Sequence, residues 1–423
     1  MPNHPKTVSI KGFKGLNNNI SPESTPQDYL KKALNINLDK TGGISKRKGY
    51  VKKDSSIFTS LWASENNLGC YAVRTGNLVK VNPDYTFTTI RSNVGQDKIS
   101  FEEIDDKIYY ASNSVTGIID DGVNKSWGVP KNTVAPLLTT VSGNLTKGTY
   151  RVSFTYVRDD GIESGTGISS SKELLSTGGI SIVIPTHADP SITFARVYCS
   201  TPDGIILYYN GLSVLGTSYT ISSVSSSSNP LKMFNLDAAQ TGHIVRYYRG
   251  RIYIAKDNIL WYSEPFKYQH FNLSSNYFEF PDRIREVLPV EDGIWICSDK
   301  LYYLSGDNPD DFKKSTKEPI SVVEGTATKM SGSYLRIDNT PIGYKWLISS
   351  DLGIFVLFNQ GLVINLTSTN VELNKADSGT SLFLQDEGMN QYLSILKTNQ
   401  NPNNSVVGDL VETSIVRNGI IIP

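Results

Sequence analysis

Only four histidines occur in the 423 residues: His4, His187, His243 and His270. None falls into an HxH or HExxH spacing, and none stands beside a Cys-x-x-Cys pair, so no metal site is spelled locally. The three cysteines, Cys70, Cys199 and Cys297, are odd in number and far apart. Each lies in an apolar or strand-like run, which predicts buried structural thiols and no disulfide framework. There is no Gly-x-Ser-x-Gly elbow, no Walker loop and no Gly-x-Gly-x-x-Gly opening a helix after a strand. The expectation is a protein without catalytic, cofactor-binding or metal-ligating residues, and not an enzyme.

Paired acids remain to be placed, because two facing carboxylates are the machinery of glycoside hydrolysis. Adjacent acids occur at Asp105-Asp106, Asp120-Asp121, Asp159-Asp160 and Asp310-Asp311. Each pair lies at or beside a turn signal, where Asp sets Asx-turn geometry, so turns are expected there. Ser349-Ser350-Asp351-Leu352-Gly353-Ile354-Phe355 resembles the Asp-box turn of sialidase propellers. As a turn it supports a propeller; an enzyme of that kind also needs three convergent arginines and a Tyr nucleophile.

Asn-x-Ser/Thr occurs at Asn124, Asn144, Asn272, Asn365 and Asn403. The opening MPNHPKTVSI has no apolar core of a secretory signal, so these read as chance in a Ser- and Asn-rich chain. No apolar run approaches a membrane span; Trp346–Leu366 is broken by Asp351, Asn359 and Gln360. Aromatic and basic residues alternate at Arg246-Tyr247-Tyr248-Arg249 and Phe266-Lys267-Tyr268. That alternation suits strands with core aromatics and snorkelling cations better than a nucleic-acid platform. Lys46-Arg47-Lys48 reads as a solvated turn.

Lys plus Arg number 41 and Asp plus Glu number 41, for a formal net charge of zero. Strong whole-molecule attraction to nucleic acid is thereby excluded, as is a charged disordered chain. Charged residues are 19%, against 23 Tyr and 34 Gly. Low charge with many Tyr, Ser, Thr and Gly describes a β-rich, turn-rich protein.

The elements follow from this composition. Residues 1–50 form an arm with one helix signal: Thr25 as N-cap, Pro26 at N1, Asp28 at N3, then Tyr29–Leu34. From residue 57 a unit recurs: strand, tight turn, strand, tight turn, strand. It stands near 57–90, 98–122, 242–265, 284–305, 344–367 and 381–398, with a final strand at Ser414–Ile422 to close against the N-terminal unit. A period of roughly 40–60 residues predicts a β-propeller of five to six blades. Residues 134–231 interrupt it. Their alternating strands predict an inserted immunoglobulin- or fibronectin-like β-sandwich, ending in the Ser-rich linker Ser222–Pro230. The division is arm 1–50, first propeller part 51–133, insert 134–231, and remaining propeller 232–423.

Several phrases in order resemble the tail nozzle (stabilisation or hub) proteins of short-tailed bacteriophages. They are Gly12-Phe13-Lys14-Gly15-Leu16-Asn17, Ala33–Leu38, Gly42–Tyr50, Trp127-Gly128-Val129-Pro130, Gly250–Ala255 with Leu260–Pro265, and Gly306–Phe312. The resemblance implies a structural virion protein, assembled in the host cytoplasm. It would form a homo-oligomeric, six-fold ring below the portal and adaptor proteins. The ring would extend the DNA-ejection channel without binding the genome specifically, and would carry needle, plug, fibre or spike proteins. No catalytic residue, metal or cofactor comes with the family. The alternative is a propeller-type carbohydrate-active enzyme or carbohydrate-binding protein.

Overall fold

A computed structural model describes residues 9–32, 36–39, 41–46, 49, 51–331, 335, 340, 342–368, 370, 371, 373, 375–386, 389–398, 410–417 and 420–422. The fold is all-β, and its repeating element is the four-stranded antiparallel blade of a β-propeller. Two compact units divide the chain: residues 56–279, and residues 1–55 with 280–423.

A two-residue hairpin needs turn residues that tolerate positive φ, because only that backbone matches the right-handed twist of the strands. The arm pairs β1 (Ile36–Leu38) with β2 (Ile44–Lys46). In the 56–279 unit, the first blade runs β3 (Phe58–Ala63), β4 (Cys70–Arg74), β5 (Asn77–Val81), β6 (Phe87–Arg91). The second runs β7 (Ser100–Ile104), β8 (Lys107–Ala111), β9 (Thr116–Asp120), β10 (Val123–Lys125). Thr75-Gly76, Asp105-Asp106 and Asp121-Gly122 turn these hairpins, all with φ between 47° and 78°.

Residues 138–221 then form two sheets. One orders β11 (Leu138–Leu145), β14 (Gly178–Val183) and β17 (Ser218–Ile221). The other orders β13 (Ser170–Leu174), β12 (Gly148–Arg158), β15 (Ile192–Ser200) and β16 (Leu207–Val214). Alternation sends Val152, Phe154, Tyr156, Val197 and Cys199 of one sheet into a single core with Leu145, Ile180, Ile182 and Ile221 of the other. The Ser-rich stretch is not a free linker. Asn229 O accepts from Tyr209 N, and Leu231 N donates to Leu207 O, because the edge of β16 offers it backbone partners.

The third blade follows, with β18 (Ile244–Tyr248), β19 (Arg251–Lys256) and β20 (Ile259–Glu264). Its fourth position is shared by β21 (Lys267–Phe271) and β22 (Tyr277–Glu279), both paired with β20. One core joins Tyr109 and Ile118 of the second blade to Val245, Ile252 and Phe271 of the third.

The second unit holds three more blades: β23 (Glu286–Val290), β24 (Gly293–Cys297), β25 (Leu301–Ser305), β26 (Lys313–Thr316); β27 (Thr328–Met330), β28 (Lys345–Ser350), β29 (Gly353–Leu357), β30 (Val363–Asn365); and β31 (Ser378–Asp386), β32 (Met389–Thr398), β33 (Leu410–Arg417), β34 (Ile420–Ile422). The C-terminal segment completes the last blade. β33 pairs with β32 and β34 with β33, while the β3–β6 sheet holds only its own strands. The physical reason is proximity in sequence: the nearest free edge is that of β32.

The arm departs from expectation as well. No helix forms over the described residues 25–32; Ala33–Asn35 lie outside them. Instead Leu30 N donates to Gly15 O, Asn17 N to Leu30 O and Lys14 N to Asp28 O, and Thr25 Oγ1 donates to Ser21 O instead of capping. A helix of about ten residues does not repay its nucleation, whereas these pairings come with burial of Leu16 and Leu38. Both leucines enter the core of the last two blades with Val356, Phe358 and Tyr392. Gly12 and Gly42 allow the arm to fold back: a Cβ at Gly12 would lie 2.4 Å from Thr41 O, and Gly42 holds φ +83°.

Candidate functional site

Among the described residues no group of His, Cys, Asp and Glu is arranged to hold a metal ion. The densest polar constellation lies in the 56–279 unit, where the two-sheet module meets the third blade. Its centre is Glu163, which follows β12 and bridges back to Val157. Thr155 Oγ1 and Tyr198 OH donate to Oε1 at 2.5 and 2.7 Å, and Arg196 Nη1 donates to Oε2. From the blade, His270 Nε2 lies 2.7 Å from the Glu163 carbonyl oxygen.

That carbonyl only accepts, so Nε2 carries the proton and Nδ1 is bare. Nδ1 is buried without a hydrogen-bond partner. Burial pushes the His270 imidazole below its usual range, and Lys267 adds to the effect. Tyr198 is pushed up, by burial and then by Glu163. The Glu163 carboxylate accepts from a hydroxyl, a phenol and a guanidinium at once. Its chemistry is that of an anchor.

The surrounding backbone closes tightly. Gly165 has no room for a Cβ, which would meet Leu236 O, and Thr166 N donates to Met233 O at 2.8 Å. Leu231, Met233 and Leu236 pack on Tyr198 and Leu207. Trp127-Gly128-Val129 ties the same junction from the other side. The Trp127 indole sits in the blade core and donates to Tyr268 O at 2.7 Å, while Val129 sits in the module core. Gly128 between them has φ +87°, and its Cβ would lie 2.8 Å from Gln269 O.

The residues singled out from sequence are scattered. Cys199 and Cys297 are buried and Cys70 half-buried, all as free thiols; burial pushes Cys199 up to about 12. His187 Nδ1 accepts from Asp189 N, and His243 N donates to Ala255 O; His4 lies outside the described residues. Asp105 and Asp106 turn β7 into β8. Asp120 binds Lys125 and Lys107, whose charges hold its carboxyl below the usual range. Asp160 clamps Arg158, and Asp310 and Asp311 sit in a single 3-10 turn.

In the Ser349–Phe355 phrase, Ser349 Oγ is buried 3.0 Å from Tyr392 OH and 3.1 Å from Ser394 Oγ, between the last two blades. Asn124 Oδ1 accepts from Tyr110 OH, Asn272 Oδ1 from Ser274, and Asn365 Oδ1 from Thr367; Asn403 lies outside the described residues. Arg246 donates to Ser100 Oγ and Val245 O, and Tyr247 packs edge-on to Tyr268. Of Lys46-Arg47-Lys48, only Lys46 is described, exposed in β2.

The Glu163 anchor went unread in the sequence. Its side-chain partners are 8, 33 and 35 residues away and His270 is 107 away, so no local pattern announces it.

No family model matches the chain, and no curated protein matches it. Among solved structures, the chain is similar to BBS1N in a complex with ARL6DN, at 10% identity over 81% of this chain and 90% of that one, with a TM-score of 0.33. It is similar to Hsv2 of Kluyveromyces marxianus at 10% identity, over 82% and 94%, with a TM-score of 0.30. Sqt1 of Saccharomyces cerevisiae follows at 10%, over 73% and 97%, with a TM-score of 0.21.

Proposed function

We propose that the chain is a non-catalytic structural subunit of a bacteriophage tail. In this reading it is a nozzle or hub protein that assembles into a ring, extends the DNA-ejection channel and anchors distal tail proteins.

One observation carries the reading. Several residues of the phrases that resemble nozzle proteins stand at joints of this fold. Gly12 and Gly42 fold the arm back, Trp127–Val129 joins blade to module, and Gly250 turns β18 into β19. Gly306–Phe312 links β25 to β26 through the 3-10 turn Pro309–Asp311, with Pro309 buried. The Glu163 cluster holds two elements together. Zero net charge suits a wall past which DNA slides, since many phosphate contacts would hold the genome back.

Negative-stain imaging of the purified protein and of virions tests this. A ring at the tail is expected. A protein absent from particles, or one that cleaves surface polysaccharide, overturns it. No helix among the described residues is long and apolar enough to cross a membrane.

A further inference from the structure

The two-sheet module is held to the blades at the C-terminal end of β12. There Arg158 Nη1 donates to Ser126 O, just past β10, and His270 Nε2 meets the Glu163 carbonyl. β12 has eleven residues, so its other end stands roughly 33 Å from this joint. Three connections meet at that far end: residues 146–147 between β11 and β12, 175–177 between β13 and β14, and 201–206 between β15 and β16. Register brings them together. Gly148 pairs with Leu174 and Leu145 with Gly178, while Asp203 N donates to Thr149 O at 2.8 Å.

Loop tips are usually built from Gly, Pro, Asn, Asp and Ser. Two of these carry bare aliphatic side chains. Leu175 is 76% exposed, Ile205 73% and Ile206 51%. Ile205 and Ile206 are consecutive, and it is the next residue, Leu207, that enters the core beside Tyr198. An exposed aliphatic residue standing singly is ordinary; three gathered on adjoining tips at one end of a module call for a partner.

We infer that this end of the module seats in a lipid surface. Its chemistry favours lipid over protein. The three connections contain no Trp, Tyr or Arg, the residues that anchor protein interfaces. Turns at the end of a sandwich are convex, which suits a deformable layer better than a preformed pocket. The longest loop also turns its polar groups inward. Gly204 N donates to Thr201 O, Asp203 N to Thr149 O, and the Asp203 carboxylate accepts from Thr149 N at 3.0 Å. Those backbone groups keep their partners when the tip leaves water, as an apolar layer demands. Lys147, exposed on the neighbouring turn, can lay its stem along the apolar boundary and hold its ammonium among headgroup phosphates. Aliphatic side chains at the acyl boundary with a cation at headgroup level are the means by which peripheral proteins hold a bilayer.

Flotation of the full chain with phosphatidylcholine vesicles containing phosphatidylglycerol, at millimolar lipid, tests this. The wild type is expected to float. Ile205→Asp/Ile206→Asp is expected to lower the bound fraction by roughly tenfold at an unchanged melting temperature, since both side chains are exposed in the free protein. Val134→Asp is the control: Val134 is 69% exposed just before β11, at the joint end of the module, and the variant should float as the wild type does.

Depth is the second arm. The added indole of Ile205→Trp is expected to shift to the blue with vesicles and to be quenched by lipids brominated on their acyl chains; that of Val134→Trp is expected to do neither. A wild-type chain that ignores vesicles, leaving the tip for another protein, overturns the inference. So does equal flotation of the double Asp variant, or an Ile205→Trp indole that brominated lipid does not reach. The proposal stands apart from the tail reading: absence of the chain from virions would sink that reading and leave vesicle binding untouched.

Discussion

Trp295 and Trp346 stitch one seam between neighbouring blades from opposite sides. Trp295 in β24 donates its indole N–H to Phe358 O, just past β29, at 2.7 Å. Trp346 in β28 donates to Pro289 O, in β23, also at 2.7 Å. Both rings are buried in the core that these two blades share. An indole buries a large apolar area and ends in one donor, which suits a seam where a strand-end carbonyl needs a partner.

Replacing either tryptophan by Phe keeps an aromatic ring and removes the donor, so a buried carbonyl is stranded. Each of Trp295→Phe and Trp346→Phe is expected to cost roughly 1–3 kcal/mol in urea unfolding. The double variant is expected to be non-additive, because the two bonds close one seam. Additive losses would show that the two bonds act independently.

Gly128 separates the blade core from the module core. Gly128→Ala adds a left-handed backbone penalty of about 1–2 kcal/mol and a clash with Gln269 O. Gly122→Ala has the same kind of φ, +75°, but open space around its Cβ. Melting curves should therefore place Gly128→Ala well below Gly122→Ala. Hydrogen exchange should quicken at 127–130 and 268–271 in the first variant only.

His270 makes stability depend on mild acid. Its folded pKa is lowered, chiefly by burial, so as pH falls the unfolded chain takes the proton first. The contribution is present above about pH 6.5 and is lost as pH falls below it. His270→Gln has an amide to offer Glu163 O and cannot titrate. The fall in urea midpoint between neutral pH and pH near 5.5 should be shallower in that variant than in the wild type.

At the alkaline end the sign reverses. Burial raises Cys199 to about 12, and burial with Tyr247 raises Tyr268 to about 12. A raised folded pKa confers stability that is whole below the unfolded value and lost as pH rises through the folded one. The window opens near 8.5 for the thiol and near 10 for the phenol, and closes near 12. Unfolding midpoints from pH 8 upward should fall less steeply at first in Cys199→Ala than in the wild type.

Leu16 lies in the core of the last two blades, although it belongs to the N-terminal arm. Leu16→Ala is expected to cost about 2–5 kcal/mol. A cost near zero, read by thermal unfolding, would mean that the arm is only loosely laid on the blades.

Local chemistry was legible in the amino-acid order. Thr75-Gly76, Asp105-Asp106, Asp121-Gly122 and Arg249-Gly250 announce hairpins, since few residue pairs accept two positive φ angles in succession. The flanking apolar runs then mark strands buried on both faces, as in Lys107–Ala111 and Gly293–Cys297. These signals act over two to five residues, so the repeating blade could be read without coordinates.

Two kinds of feature could not. Thr25-Pro26 and the residues after it spell a helix start, yet tertiary pairing with Gly15 and Asn17 wins, because a short helix gains less than a buried Leu16. The Glu163 anchor and the paired tryptophan bonds join residues from separate hairpins. The sequence by itself determined the strands and their turns, where the forces lie between neighbours along the chain. Only the tertiary structure decided which edges are closed, which carbonyls find an indole, and where the arm lies, because those depend on partners tens of residues away.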